Sequence, residues 1–284
     1  MRFRHYVRLI FLIFAVVAVT APVAAAQDSQ DRKGKNIFRE WIKSQSTALQ
    51  QLRAFSVSET VHSSLNAGGG QRNYRLVARR AATRTPDGEK TDDKVQPGRF
   101  RMEREILQLV ANGQEISADR TSRFLMQQRR MMRPELSRVL DSFRFPVQEV
   151  GRWESDEPLQ LIERGGTHYW KLNGIATIRL PFGPPERRNG REAESRPASP
   201  TSRKSHVTAW FTTDTFRLHT TLVEYRLPGR FSLSLRTSYS SEGPLDIPKK
   251  RVIEGTVPMR RRSRIFAVHF KQTTDYTDYE FRRN

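Results

Sequence analysis

The sequence contains no cysteine in its 284 residues. This absence excludes disulfide bonds, thiolate metal sites and cysteine nucleophiles, and it also excludes a lipid anchor attached to an N-terminal cysteine. A chain without cross-links must be stabilised by its own core. Residues 27–284 are long enough to form one large domain around such a core, or two small ones.

Long apolar runs are also scarce. The one that is present extends from Leu9 to Ala21 and is shorter than the ~20 residues of a membrane-spanning helix. Three arginines precede it: Arg2, Arg4 and Arg8. The small residues of "VAAA" follow and end at Ala26. This three-part layout is typical of a secretory signal peptide and predicts cleavage after Ala26. An uncleaved N-terminal anchor is the alternative.

The predicted export signal places the mature chain, residues 27–284, in the periplasm, with secretion as the second choice. Acidic residues are few, 30 Asp and Glu against 50 Lys and Arg, and the formal net charge is +20. An exported protein seldom meets chromosomal DNA or ribosomes, so we expect no nucleic-acid partner. The positive charge favours an anionic membrane or wall surface, although a proteome rich in arginine would give the same balance.

Residues 31–54 predict a helix, because Ile37, Trp41, Ala48 and Leu52 recur at near-helical spacing. From residue 55 the apolar period is two, with Phe55, Val57, Glu59 and Val61 on one side, which predicts a strand. Asn112-Gly113 lies between two β-rich runs and indicates a hairpin with a type I′ turn. A second helix is predicted over residues 133–146, where four apolar residues share one face: Leu136, Val139, Leu140 and Phe143.

The second half of the chain is rich in strand patterns. Gly165-Gly166 predicts another hairpin turn, whereas 184–205 is polar and rich in Pro, Ser, Arg and Glu, which indicates a disordered loop insertion. In "RFSLSLRTSYS", one face carries Phe231, Leu233, Leu235, Thr237 and Tyr239, and the other carries serines and Arg236. One face is therefore covered and the other is wet, as in an antiparallel sheet. The order of elements predicts an α+β fold with one dominant sheet.

The arginine-rich segment "VPMRRRSRIFAVHF" covers residues 257–270. With a two-residue period, three of its arginines are in phase with three apolar residues: Arg260, Arg262 and Arg264 with Phe266, Val268 and Phe270. One interpretation is that the arginines continue the apolar face outward and form a basic rim around a pocket. The other is that the strand begins near Ser263 and the arginines form a solvated turn.

Catalytic motifs are not apparent, and we predict no enzymatic activity, no cofactor and no metal site. The five histidines after residue 26 are isolated and do not form a zinc-binding pattern: His62, His168, His206, His219 and His269. Glu103 and Glu105 share a strand face with Arg99 and Arg101, so a salt-bridged surface is favoured over a glycosidase pair. A hydrolase whose active site is assembled from distant residues is the remaining enzymatic alternative.

Several quoted segments resemble the LolA/LolB-like periplasmic lipoprotein carriers. After the signal peptide and N-terminal helix, "GRFRMEREILQLVANGQEI" is similar to the family's strand and hairpin, and "PELSRVLDSF" to the short helix that follows. "VTAWFTTDTFRLHTTLVEY" resembles its strand–turn–strand unit, and "RIFAVHF" with "YTDYEF" its closing strands. The resemblance extends over most of residues 31–284, but the chain is longer and more basic than the carriers.

The resemblance implies an antiparallel unclosed β-barrel, or half-barrel, covered by a few helices, whose concave apolar face accommodates acyl chains. The expected ligand is a lipid or a lipidated protein, and the expected role is envelope lipoprotein sorting or sensing. Six residues are predicted to line the cavity: Phe231, Leu233, Leu235, Phe266, Val268 and Phe270. The alternative is a basic scaffold with a fully packed core that binds an anionic wall or membrane surface through its arginines.

Overall fold

The computed structural model describes residues 36, 38–67, 70–84, 100–131, 143–150, 153–154, 159–180, 201–227, 231–261 and 264–283. At 67, 127–131, 149, 177–180, 201–204, 226–227, 231, 257–261 and 264–266 it describes the backbone alone. The predicted signal peptide and residues 184–200 of the predicted insertion lie outside the described residues, whereas residues 201–205 already belong to a strand.

One antiparallel sheet of eleven strands forms the body of the protein. Its strands are β1 Leu52–Ala67, β2 Gly70–Arg84, β3 Phe100–Ala111, β4 Gln114–Glu115, β5 Gln160–Arg164, β6 Thr167–Leu180, β7 Thr201–Thr212, β8 Leu218–Leu227, β9 Phe231–Glu242, β10 Leu245–Arg261 and β11 Arg264–Arg283. The helices are α1 (residues 38–50), α2 Ala118–Met131 and α3 Pro146–Val150.

The strand order is β4-β3-β2-β1-β11-β10-β9-β8-β7-β6-β5, so the described sheet ends in two edges and does not close on itself. Twisted sheets of more than ~10 strands generally curl. The side chains of one face are buried while those of the other are exposed or half-buried, as along β9. The predicted fold class, an unclosed antiparallel half-barrel with few helices, is therefore confirmed.

The first helix ends earlier than predicted. Trp41, Gln45 and Ala48 form its buried face, but the helix ends at residue 50 and Leu52 is the first residue of β1. Leu52 fits both a helical stripe and the inner face of the strand, so periodicity alone did not place the boundary. Its burial in the sheet, together with Phe55, decides the outcome.

Helix α2 was not predicted. It begins after Ser117, whose carbonyl oxygen accepts hydrogen bonds from the backbone N–H groups of Arg120 and Thr121, and Asp119 lies in its first turn. Its apolar stripe is weak, since Phe124 and Leu125 are only half-buried. The predicted helix over 133–146 lies outside the described residues up to 142, and residues 143–145 are not helical.

The predicted hairpin turns are confirmed. Asn112 and Gly113 have φ of 49° and 83°, and Gly165 and Gly166 have φ of 59° and 76°. Both central residues of a type I′ turn need positive φ, which glycine and asparagine tolerate best.

Candidate ligand-binding face

The concave face of the sheet carries two large apolar clusters. The first lies under α1 and residues 143–145, where aromatic rings pack edge to face: Trp41 lies 5.1 Å from Phe211, and Phe55 lies 5.1 Å from Phe145, between ring centroids. The first cluster is therefore tightly packed by contacts between aromatic rings.

The second cluster, which we call the wide cluster, takes residues from seven adjacent strands. Its members are Leu65, Ala176, Val207, Val223, Tyr225, Leu233, Leu235, Ile253, Val268 and Phe270. At ~4.8 Å between neighbouring strands, the wide cluster measures roughly 30 Å across. Among the described residues, the half-buried hydrophobic side chain packed against it is Trp153.

Four of the six residues predicted to line a cavity meet in the wide cluster. Leu233, Leu235, Val268 and Phe270 are all buried, with exposed fractions from 1% to 4%. Phe231 begins β9 and Phe266 lies in β11, but their side chains are outside the described part of the structure. The inward and outward alternation predicted for β9 is confirmed, since Leu233, Leu235, Thr237 and Tyr239 are buried.

Gly255 lies in the row of the wide cluster between Phe270 and Leu233, with which its Cα is paired. A Cβ atom at this position would overlap the carbonyl oxygen of Ser232 and would lie 2.9 Å from the Cα of Leu233. Both atoms belong to the backbone of β9, so neither can turn away.

We expect Gly255→Ala to lower the free energy of unfolding by about 1–3 kcal/mol, the usual cost of overpacking. Urea denaturation measures this loss. Ser232→Ala, at an exposed position on the facing strand, is the control and should stay within about 0.5 kcal/mol of the unaltered chain. If Gly255→Ala were as stable as Ser232→Ala, the prediction would be wrong, and β9 and β10 would separate easily at this point.

A polar band lies between the two apolar clusters. Thr274, Arg251, Thr237 and Thr221 occupy consecutive paired positions on four adjacent strands, and all four are buried. The hydroxyl groups of Thr221 and Tyr239 lie 3.0 Å apart. A narrow cleft follows this band and is lined by Phe143, Arg144, Leu235, Thr237, Tyr239, Pro248, Arg251 and Tyr276.

Arg251 was not singled out from the sequence. The signal was present, since Arg251, Ile253 and Gly255 are in phase, and a two-residue period places all three on the inner face.

A buried ion cluster lies at the β1 side of the polar band. The Glu59 side chain is 1% exposed, and Arg80 Nη2 donates to its two carboxylate oxygens at 3.3 and 3.1 Å. Arg104 also pairs with this carboxylate. The Arg80 guanidinium lies 5.9 Å from the centroid of the Phe143 ring. The sequence placed Glu59 on the inner face but gave no sign of its partners.

Tyr279 lies close to this cluster and stays neutral. Burial raises the pKa of its hydroxyl well above the usual range, and electrostatic interactions with Tyr276, Glu59 and Tyr239 raise it further, while Arg80 lowers it less. The hydroxyl donates a hydrogen bond of 2.6 Å to the carbonyl oxygen of Pro248. Tyr279 therefore ties β11 to the bulge in β10 next to the cleft.

The predicted rim arginines lie at the end of the β10–β11 hairpin. Arg260 belongs to β10 and pairs with Ile265, whereas Arg264 belongs to β11 and pairs with Arg261. Arg262 lies outside the described residues, as do the side chains of Arg260 and Arg264. The rim interpretation placed these arginines on one strand, but Arg260 and Arg264 lie on two different strands.

The histidines lie outside the buried face of the sheet. All five histidines are exposed, and within the described ranges no three or more of His, Asp and Glu are grouped to hold a metal ion. Arg101 and Glu103 form the exposed ion pair expected from the sequence, 3.5 Å apart. No helix in the described part of the chain is long and apolar enough to span a membrane.

Comparison with known proteins gives no match to a family model and none to a curated protein. Among solved structures, a putative outer membrane lipoprotein-sorting protein domain from Vibrio parahaemolyticus is similar at 12% identity and a TM-score of 0.37, over 89% of this chain and 93% of that one. A DUF1329 family protein from Desulfovibrio piger has 12% identity and a TM-score of 0.36, over 87% and 92%. LprF from Mycobacterium bovis has 11% identity and a TM-score of 0.25, over 84% and 91%.

Proposed function

We propose that this protein is a non-enzymatic carrier or sensor that binds a lipid, or the acyl chain of a lipidated protein, on the concave face of its half-barrel. The observation that carries this proposal is the wide cluster, a buried apolar cluster shared by seven strands of a sheet that does not close. An acyl chain that binds there contributes about 0.8 kcal/mol of binding free energy for each methylene group removed from water.

The position of the cluster suits an amphiphile, because apolar and polar groups adjoin on the same face. The polar band and its cleft border the cluster on one side. An amphiphile could place its tail along the wide cluster and its polar end against the hydroxyl and guanidinium groups of the band, which an apolar small molecule would not use.

The N-terminal segment supports a location in the cell envelope, and sorting or sensing of envelope lipoproteins is the role that we propose there. No catalytic motif in the sequence favours an enzyme.

The test is native mass spectrometry of the protein purified from its own host, followed by solvent extraction and lipid analysis. A reproducible, stoichiometric lipid or acylated peptide is the expected result and would give the ligand class. A clean apo mass with no uptake of added lipid would contradict the proposal and favour the basic scaffold.

A photo-crosslinking residue locates the ligand within the fold. With benzoyl-phenylalanine in place of Phe270, in the wide cluster, we expect cross-linking to a bound acyl chain after irradiation, because Phe270 is surrounded by apolar side chains of this face. The control carries the same residue in place of Phe145, which is 2% exposed but packed among the rings of the first cluster. Equal lipid labelling at both positions would place the ligand elsewhere.

A further inference from the structure

The β10–β11 hairpin projects beyond both neighbouring strands. The last described pair between β10 and β9 is Thr256 with Ser232, and the last between β11 and β1 is His269 with Asn66. β9 and β1 each contain one further residue, Phe231 and Ala67, whereas residues 258–261 and 264–267 continue past both strand ends and pair with each other. Four residues at ~3.3 Å each extend the hairpin by about 13 Å. We call this part the projecting hairpin.

The projecting hairpin combines cationic and apolar residues and has no acid. The chain has no Asp or Glu between Glu254 and Asp275. Arg260, Arg261 and Arg264 occupy the two strand ends. The remaining positions are apolar: Pro258, Met259, Ile265, Phe266 and Ala267.

This composition suits the surface of an anionic bilayer better than a soluble polyanion or a polysaccharide wall. Binding to either of the latter two requires only cationic side chains. The interface of an anionic bilayer attracts Lys and Arg through its surface potential, and it also accepts apolar side chains just below the headgroups. A projecting element can reach this interface without displacing the rest of the sheet.

The base of the hairpin meets the wide cluster. Val268 is 1% exposed and belongs to this cluster, and Leu233 lies beside the pair formed by Gly255 and Phe270. A bilayer in contact with the hairpin would therefore lie at the end of the apolar face.

We infer that the projecting hairpin docks the protein on the surface of a membrane that contains anionic phospholipid. Docking uses Arg260, Arg261 and Arg264 for the headgroups and the neighbouring apolar residues for the interface. This inference does not depend on the proposed ligand, because vesicle binding is measured on protein without bound lipid.

The experiment is sedimentation of the delipidated protein with sucrose-loaded vesicles, either phosphatidylcholine alone or with one-quarter phosphatidylglycerol. Each Lys or Arg near such a surface is worth about 1 kcal/mol, so replacing the three arginines by serine should weaken partitioning onto anionic vesicles about a hundredfold. Replacing the same three arginines by lysine should preserve most of the partitioning onto anionic vesicles.

The matched control removes the same charge from the opposite end of the sheet. Arg53, Arg282 and Arg283 are exposed there, where Leu52 pairs with Arg283. Their replacement by serine should change partitioning less than about fivefold, since they lie far from the docked surface. Melting curves of all variants confirm that they are folded. Equal losses in the two serine triples, or no binding of the unaltered protein to anionic vesicles, would overturn the inference.

A fluorescent label tests insertion directly. Because the chain has no cysteine, Ala267→Cys gives a single attachment site for an environment-sensitive dye at an exposed position of the hairpin. We expect a blue shift of its emission with anionic vesicles and none with polyphosphate. The same dye on Glu242→Cys, at the opposite end of the sheet, should not shift. A shift with polyphosphate of equal size would replace the membrane by a soluble polyanion as the partner.

Discussion

Replacing Glu59 by glutamine is expected to lower the free energy of unfolding by about 3–5 kcal/mol, the usual cost of removing one partner from a buried ion pair. The Glu59 side chain is 1% exposed and accepts hydrogen bonds from Arg80, while Arg104 pairs with the same carboxylate. Without it, two positive charges remain in a largely buried site, with side chains 9% and 24% exposed. Urea denaturation of the unaltered protein and of Glu59→Gln measures the difference in the free energy of unfolding.

Glu105→Gln is the control for this prediction, because Glu105 is exposed on β3, next to Arg104 in the chain. It should change stability by less than about 0.5 kcal/mol.

A second variant tests the cause. Methionine at all three positions, Glu59, Arg80 and Arg104, removes the charges together and should recover most of the loss. Similar losses for Glu59→Gln and Glu105→Gln would show that the ion cluster contributes little.

Replacing Asp246 by alanine is expected to cost a similar amount, about 3–5 kcal/mol. The Asp246 side chain is fully buried, and four groups donate hydrogen bonds to its carboxylate. The donors are Trp41 Nε1 at 2.7 Å, Ser241 Oγ at 3.0 Å, the Leu218 N–H at 3.1 Å and Arg217 Nη1 at 3.3 Å. Each would be left without its buried acceptor.

The loss should be concentrated on α1, because this carboxylate connects the helix to the sheet. Gln45 adds two bonds at the same place, from its Nε2 to the carbonyl oxygen of Pro244 and from the Asp246 N–H to its Oε1. Hydrogen exchange should therefore accelerate most at the amides of residues 41–48. The control is Asp275→Ala, which breaks an exposed pair with Lys250 at 3.6 Å and should cost about 0–1 kcal/mol. Uniform acceleration across the sheet would contradict a local role.

The local features of the fold were predictable from the sequence. The turns at Asn112-Gly113 and Gly165-Gly166 need positive φ, and the alternation along β9 needs one buried face. Helix α2 escaped prediction because its sequence, ADRTSRFLMQQRRM, gives only a faint apolar stripe. Its start signals, Ser117 and Asp119, are recognisable once the helix is known.

The candidate face was predictable in part. The period-two patterns predicted that Leu233, Leu235, Val268 and Phe270 share one apolar face, because the alternation along each strand identifies its buried side. The partners of Glu59 could not be predicted in the same way. Arg80 and Arg104 lie on two other strands, and their positions depend on sheet register, which a bulge between Val77 and Ala78 also shifts.

The pairing of β1 with β11 gives the sheet a particular order of assembly. These two strands lie in the middle of the sheet, yet Ser56 and its hydrogen-bond partner Glu280 are 224 residues apart in the chain. The strands from β1 to β4 and those from β5 to β10 can each form by joining neighbours, but only the last strand unites the two halves. Such long-range closure slows folding. If the chain is exported unfolded, as the proposed location in the cell envelope requires, this delay is an advantage, because its halves cannot join until β11 has been synthesised.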